Sequence, residues 1–121
     1  MRSRHRIGPV LAPVAFLLLL PALPVAAQDR AATLEQGQQL AFDRSKGNCL
    51  ACHVIEGGES PGNVGPPLMM MQARYPDKSE LRAQIWDAHE KNPDSIMPPY
   101  GRTYLLQESE IDKVTEFIWS L

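Results

Sequence analysis

No segment of this 121-residue chain alternates apolar and polar positions over β-branched or aromatic residues, so nothing in it reads as a strand. Cysteine is scarce: Cys49 and Cys52 are the only two, and a four-ligand zinc site cannot be assembled from thiolates alone. There is no Lys/Arg cluster, hence no footprint for nucleic acid or for an anionic membrane surface. The one long apolar stretch, near the start, is interrupted by four prolines and falls short of a stable membrane span. Beyond it there is no internal repeat and no low-complexity tract.

That apolar stretch has a different reading. Arg2, Arg4 and Arg6 precede it, and it ends in Val25-Ala26-Ala27, where small residues suit cleavage just before Gln28. Residues 1–27 thus read as a secretory leader, and removing it leaves one small domain, residues 28–121, exported to the periplasm and not held in a membrane. The arginines are not adjacent, which favours export of an unfolded chain. Nine Lys/Arg then face fourteen Asp/Glu, a mildly acidic balance. A domain of this size buries a limited fraction of its surface, so a bound cofactor can supply much of its core.

Three helical signals organise the domain, which is expected to be all-α. Thr33-Leu34-Glu35-Gln36 has the form of a capping box, with Leu40, Ala41 and Phe42 on the apolar side of the helix it would start. Asp77-Lys78-Ser79-Glu80 has the same form and opens a second helix carrying Leu81, Ile85 and His89 on one face, with Pro93 placing its end near Lys91. A third spans about Glu108 to Trp119, with Ile111, Val114, Phe117 and Ile118 at helical spacing. Glu108 and Glu110 suit its dipole, but Gln107 is a poor N-cap and predicts a weak start. Two irregular stretches, residues 56–67 and 92–102, separate these helices. The first holds four glycines and three prolines in twelve residues, and loops of that kind persist in a small domain when they wrap around something.

The two cysteines lie in Gly47-Asn48-Cys49-Leu50-Ala51-Cys52-His53. Cys-x-x-Cys-His is the attachment pattern of c-type haem: two thiols at that spacing add across two vinyl groups, and the adjacent imidazole coordinates iron. Zinc would need four ligands, and from the usual soft set residues 28–121 offer only Cys49, Cys52, His53 and the distant His89. A thioredoxin-like dithiol belongs in a βαβ setting that this chain lacks. A disulfide closing a two-residue loop would stabilise little. A leader followed by CxxCH is also a matched pair, because haem c is attached after export.

With His53 on one side of the iron, the other side falls to Met97, to one of Met69, Met70 and Met71, or to His89, or stays open as in a small-ligand sensor. Met97 is the expected ligand. It lies 44 residues after His53, in a loop stiffened by Pro98 and Pro99, where a soft thioether can reach iron without unwinding a helix. The Met69–Met71 run reads as apolar wall, and His89 as a residue of a final helical turn. Ligation by His and Met favours ferrous iron and fills both faces, which points to electron transfer and away from catalysis at this haem. No catalytic residue is assigned.

The order GxxLAF (37–42), CLACH (49–53), GPPL (65–68), LRAQIWDA (81–88), NPDSIMPPYG (92–101) and EIDKVTEFIWSL (110–121) resembles a class I cytochrome c over essentially all of residues 28–121. More narrowly, IWDAHEKNPDSIMPPYGR followed by EIDKVTEFI is similar to the X subunits of Sox thiosulfate-oxidising cytochromes (SoxX). The resemblance implies one haem c on Cys49 and Cys52, iron held by His53 and Met97, and Pro66 and Leu68 at the cofactor, with the Pro66 carbonyl accepting from the His53 ring. It implies that Gly37 lets the first and last helices cross closely near Phe117. It also implies partners: a haem-bearing SoxA-type subunit on which the sulfur chemistry occurs, a SoxYZ-type carrier protein reached through that complex, and a small cytochrome that takes the electrons onward. Local departures are expected at Pro66-Pro67 and at Gln107. A free-standing periplasmic shuttle to an oxidase or reductase is the alternative function.

Overall fold

The computed structural model describes residues 25–121. The expected leader lies outside the described residues except for Val25 to Ala27, which open helix α1 (Val25–Phe42). Three further α-helices follow: a single turn α2 (Met71–Arg74), α3 (Lys78–Trp86) and α4 (Glu108–Trp119). Two 3-10 turns, Cys49–Ala51 and Ala88–Glu90, punctuate the loops. Among the described residues β-pairing is limited to one isolated parallel bridge between Ile55 and Leu68, so the chain is all-α as its residue pattern requires. No helix among these residues is long and apolar enough to cross a membrane.

The helix boundaries follow local chemistry, and two differ from the sequence reading. Helix α1 starts well before Thr33, whose hydroxyl does not cap anything: it donates to the Asp29 carbonyl at 2.9 Å, one turn back. Threonine can make that bond inside a helix, and the alanine-rich run from Val25 to Ala32 has the propensity to extend the helix backwards. Helix α3 starts as expected, with the Asp77 carboxylate accepting from the Ser79 amide at 2.8 Å, but it stops at Trp86 and not near Lys91. Asp87 ends it by adopting an extended backbone and capping the next 3-10 turn, accepting from the His89 amide at 3.0 Å. His89 thereby leaves the apolar face of α3.

Helix α4 has the predicted bounds, and its start is stronger than Gln107 alone would make it. Glu110 reaches back so that its Oε2 accepts from the Gln107 amide at 2.9 Å, while its Oε1 pairs with Lys46 Nζ at 2.8 Å. Its inner face carries Ile111, Val114, Phe117 and Ile118, all buried. Helix α1 crosses α4 at Gly37, where an added Cβ would overlap the Lys113 carbonyl oxygen and lie 2.8 Å from Phe117 Cβ. Phe42 and Phe117 meet edge to face at 5.9 Å across the same crossing. Arg82 on α3 faces Asp112 on α4 at 2.6 Å, and the Met71 amide donates to the Leu121 carbonyl at 2.9 Å, binding α2 to the end of α4.

Backbone in contact with backbone cannot yield as a flexible side chain would, so Gly37→Ala should cost about 1–3 kcal/mol, the usual range for overpacking, measured as a lower midpoint in denaturant at unchanged slope. The Lys46 ammonium bonded to Glu110, with the Gln107 amide, holds that carboxyl below its ordinary value of 4.5. A carboxyl depressed in the folded state contributes its stability above the ordinary value and loses it as pH falls through the folded value. Glu110→Gln should therefore lower stability at neutral pH and flatten the loss of stability below about pH 4.5, as read from melting curves across pH.

Candidate functional site

The CxxCH segment is hung from the end of α1. The Gly47 amide donates to the Leu40 carbonyl at 3.0 Å, and Asp43 folds the intervening turn by accepting from the amides of Lys46 and Asn48. Asn48 takes a left-handed backbone (φ 47°) and launches the 3-10 turn that carries Cys49. Asparagine is among the few residues that tolerate that conformation. The His53 amide then donates to the Cys49 carbonyl at 2.9 Å, which places both thiols and the imidazole on one compact turn.

The Gly/Pro-rich loop 56–67 is laced back onto this turn. Gly62 donates to the Leu50 carbonyl at 2.7 Å, Gly65 to Cys52 at 2.8 Å and Leu68 to Val54 at 2.9 Å. The Pro66 carbonyl lies 2.7 Å from His53 Nδ1, so that nitrogen carries the hydrogen and Nε2 is left free as a ligand atom. Two glycines are required by this closeness. A Cβ at Gly65 would sit 2.7 Å from His53 Nδ1, and one at Gly62 would overlap the Ala51 carbonyl.

The second loop brings Met97 to the same place. The Met97 amide donates to Ser95 Oγ at 3.2 Å, and the chain beyond it is fastened twice: Gly101 donates to the Trp86 carbonyl at 3.0 Å, and the Tyr100 hydroxyl donates to the Gly47 carbonyl. Trp86 lies flat against Gly101, where a Cβ would overlap its ring.

Between the loops and the inner faces of α3 and α4 is a cavity of about 420 Å³ whose wall includes Cys49, Cys52, His53, Pro66, Leu68 and Met97. That volume lies in the range of small-molecule and cofactor sites, roughly 300–1,000 Å³. Ile85, Val114 and Ile118 supply much of the apolar remainder. Burial pushes the Cys49 thiol up to about 11, which makes it a neutral thiol and not the low-pKa thiolate a redox dithiol needs. Cys49 and Cys52 are not joined to each other. Among the described residues no three His, Cys, Asp or Glu side chains converge as a metal cluster would require, so the donor set does not suit zinc. It suits haem: two thiols, one imidazole with its tautomer fixed and one thioether, all at the wall of an apolar cavity.

Several residues stand apart from their sequence reading. Met71 is buried, but Met69 and Met70 are exposed, at 52% and 70%, so one methionine and not three forms wall. The break falls at Met70, which turns left-handed (φ 51°) to start α2 and is followed by the buried Met71. His89 is not in the cavity wall, and its Nδ1 faces Asp87 Oδ1 at 3.0 Å. Tyr100 lines the cavity and locks the Met97 loop to the CxxCH turn, a role hidden in the sequence because its partner is a backbone carbonyl 53 residues away. Burial drives its hydroxyl well above the ordinary tyrosine value, so it stays a neutral donor. Trp119 belongs to packing, with its indole donating to the Tyr75 carbonyl at 3.0 Å.

The sequence model of one family, Cytochrome c, matches residues 34–121, and no curated protein matches the chain. The chain belongs to the cytochrome c family, its fold is the class I cytochrome c fold, its cofactor is covalently attached haem c, and its chemistry is electron transfer. Tyr100→Phe should leave the Gly47 carbonyl without its partner and cost about 1–3 kcal/mol, seen as a drop in melting temperature of the haem-loaded protein with the haem still attached.

Proposed function

From that membership we propose that this chain is the X-type, single-haem subunit of an exported cytochrome pair that joins thiosulfate to a cysteine of a carrier protein. Cys49 and Cys52 would hold the haem by thioether bonds, and His53 and Met97 would ligate its iron. The observation that carries the site assignment is that His53, with its tautomer fixed by Pro66, and Met97, with its loop fastened at Tyr100 and Gly101, line one apolar cavity. The run from Ile85 to Arg102, in which these fastenings lie, is also the stretch most similar to X subunits of Sox cytochromes.

Forming one S–S bond between a cysteine thiol and thiosulfate releases two electrons and the thiol proton, and no bond to this chain is needed. Both cysteines of this chain are used in attachment, so it offers no thiol to carry sulfur. Its part is to accept those electrons and pass them singly to a small mobile cytochrome. When bound, haem supplies the one-electron couple. The residues tune that couple: the Met97 thioether favours the reduced state, the Pro66 carbonyl raises the donor strength of His53, and the apolar wall keeps water from the iron. The sulfur chemistry falls to the larger A-type subunit, and the leader of residues 1–27 sends this chain to the periplasm where haem attachment occurs.

Co-expression with a neighbouring A-type subunit and a working haem-attachment system should yield a red complex that survives purification and is reduced on adding thiosulfate and carrier protein. A red chain that stays monomeric beside the A-type subunit would instead identify a free-standing electron shuttle.

A further inference from the structure

Asp87 is a charged side chain at 2% exposure, in a domain whose other charged groups meet solvent far more. Its position is singular in the fold: it ends α3, caps the following 3-10 turn, and stands beside the loop that carries Met97. The carboxylate is divided between two tasks. Oδ1 accepts from the His89 amide and from His89 Nδ1, both at 3.0 Å. Oδ2 lies 3.0 Å from Arg102 Nε, but the N–H is not aimed at it, so this contact is a charge pair without a formed hydrogen bond. Burial by itself would raise the carboxyl, yet the His89 bonds and the Arg102 charge outweigh it and hold Asp87 below the ordinary range. It is therefore an ionised group whose outer oxygen relies on Arg102.

Arg102 is five residues beyond Met97 and is half exposed, with its guanidinium folded inward over the α3 terminus. Immediately before it, Gly101 is bonded to Trp86 and pressed against the indole. The segment from Met97 to Arg102 thus runs from the cavity wall to the α3 terminus, and its far end is held by Trp86 and Asp87, adjacent residues. A cap for the 3-10 turn needs neither burial of a charge nor an arginine, since an asparagine would serve. Burying a charge is costly and breaking its pair leaves it uncompensated, so the ionised form requires a reason beyond the cap.

We propose that Asp87 is a positioning residue for the iron site: paired with Arg102, it clamps the outgoing end of the Met97 loop to the α3 terminus and so holds the Met97 sulfur against the iron. This rests on Met97 being the sulfur ligand. Asp87 touches neither cofactor nor substrate. It acts by limiting how far the loop swings away, which is the step that opens the iron to an outside ligand.

The test uses the haem-loaded chain and reads the far-red sulfur-to-iron absorption band together with the rate of carbon monoxide binding to the reduced protein. Asp87→Asn retains an oxygen able to cap the His89 amide while removing the charge, and Arg102→Gln removes the partner from an exposed position that does not threaten folding. Each should speed carbon monoxide binding about two- to fivefold, the scale of one lost ion pair with an exposed partner, and weaken the band. The double variant should be no faster than the faster single variant, because the two act as a unit. Met97→Ala in the same series should abolish the band and bind carbon monoxide fastest, and a band that survived there would remove the ligand assignment itself. With the band lost in Met97→Ala, single variants that keep the parental rate and band would overturn the clamp even if they melt at lower temperature. Effects that multiply in the double variant would also overturn it.

Discussion

The close approach of α1 and α4 at Gly37 is the constraint from which the haem site descends. With no side chain on Gly37, the two backbones meet next to Phe117, five residues before α1 ends. From the end of α1 the position of the cysteines follows in a few bonds: Gly47 to the Leu40 carbonyl, Lys46 to Glu110 at the head of α4, and the left-handed Asn48 that starts the 3-10 turn. Helix α4 also supplies Val114 and Ile118 to the cavity wall. One pair of helices therefore fixes both the attachment turn and part of the surface that faces the cofactor.

The two loops complete the enclosure by different means. The first is held by its backbone, with amides of Gly62, Gly65 and Leu68 all returned to the CxxCH turn, and its glycines are there because carbonyls and an imidazole ring lie too near for a side chain. The second has one backbone tie, Gly101 to the Trp86 carbonyl, and is otherwise held by side chains, through Tyr100 to Gly47, Trp86 on Gly101 and Asp87 with Arg102. A backbone-laced loop around the imidazole and a side-chain-fastened loop around the thioether give the two expected axial positions unequal freedom. The sulfur side rests on a few contacts spread from Tyr100 to Arg102.

Much of this is legible in the residue pattern. The spacing of Cys49, Cys52 and His53 names its chemistry, the periodicity from Ile111 to Ile118 gives α4, and Asp77 gives the start of α3. The misreadings came where a polar side chain had more than one local partner. Thr33 read as a cap but bonds Asp29 inside a longer helix, and Asp87 read as helix interior but ends α3. The Met69–Met71 run could not be divided from composition, because one left-handed residue, Met70, decides which sulfur faces inward. Tyr100 and Arg102 were invisible for another reason: their partners are far along the chain or are backbone atoms, and neither leaves a spacing to read.

Trp86 sits where the fold offers a reporter. Its indole is covered on one side by Gly101 and approached by Arg82, with the guanidinium carbon 5.7 Å from the ring centre. Any departure of the second loop bares that ring to solvent while leaving α3 itself in place. The indole proton signal of Trp86 in an NMR spectrum, distinct from that of Trp119, can thus register the swing of the polypeptide, separately from the visible spectrum of the pigment that the swing exposes.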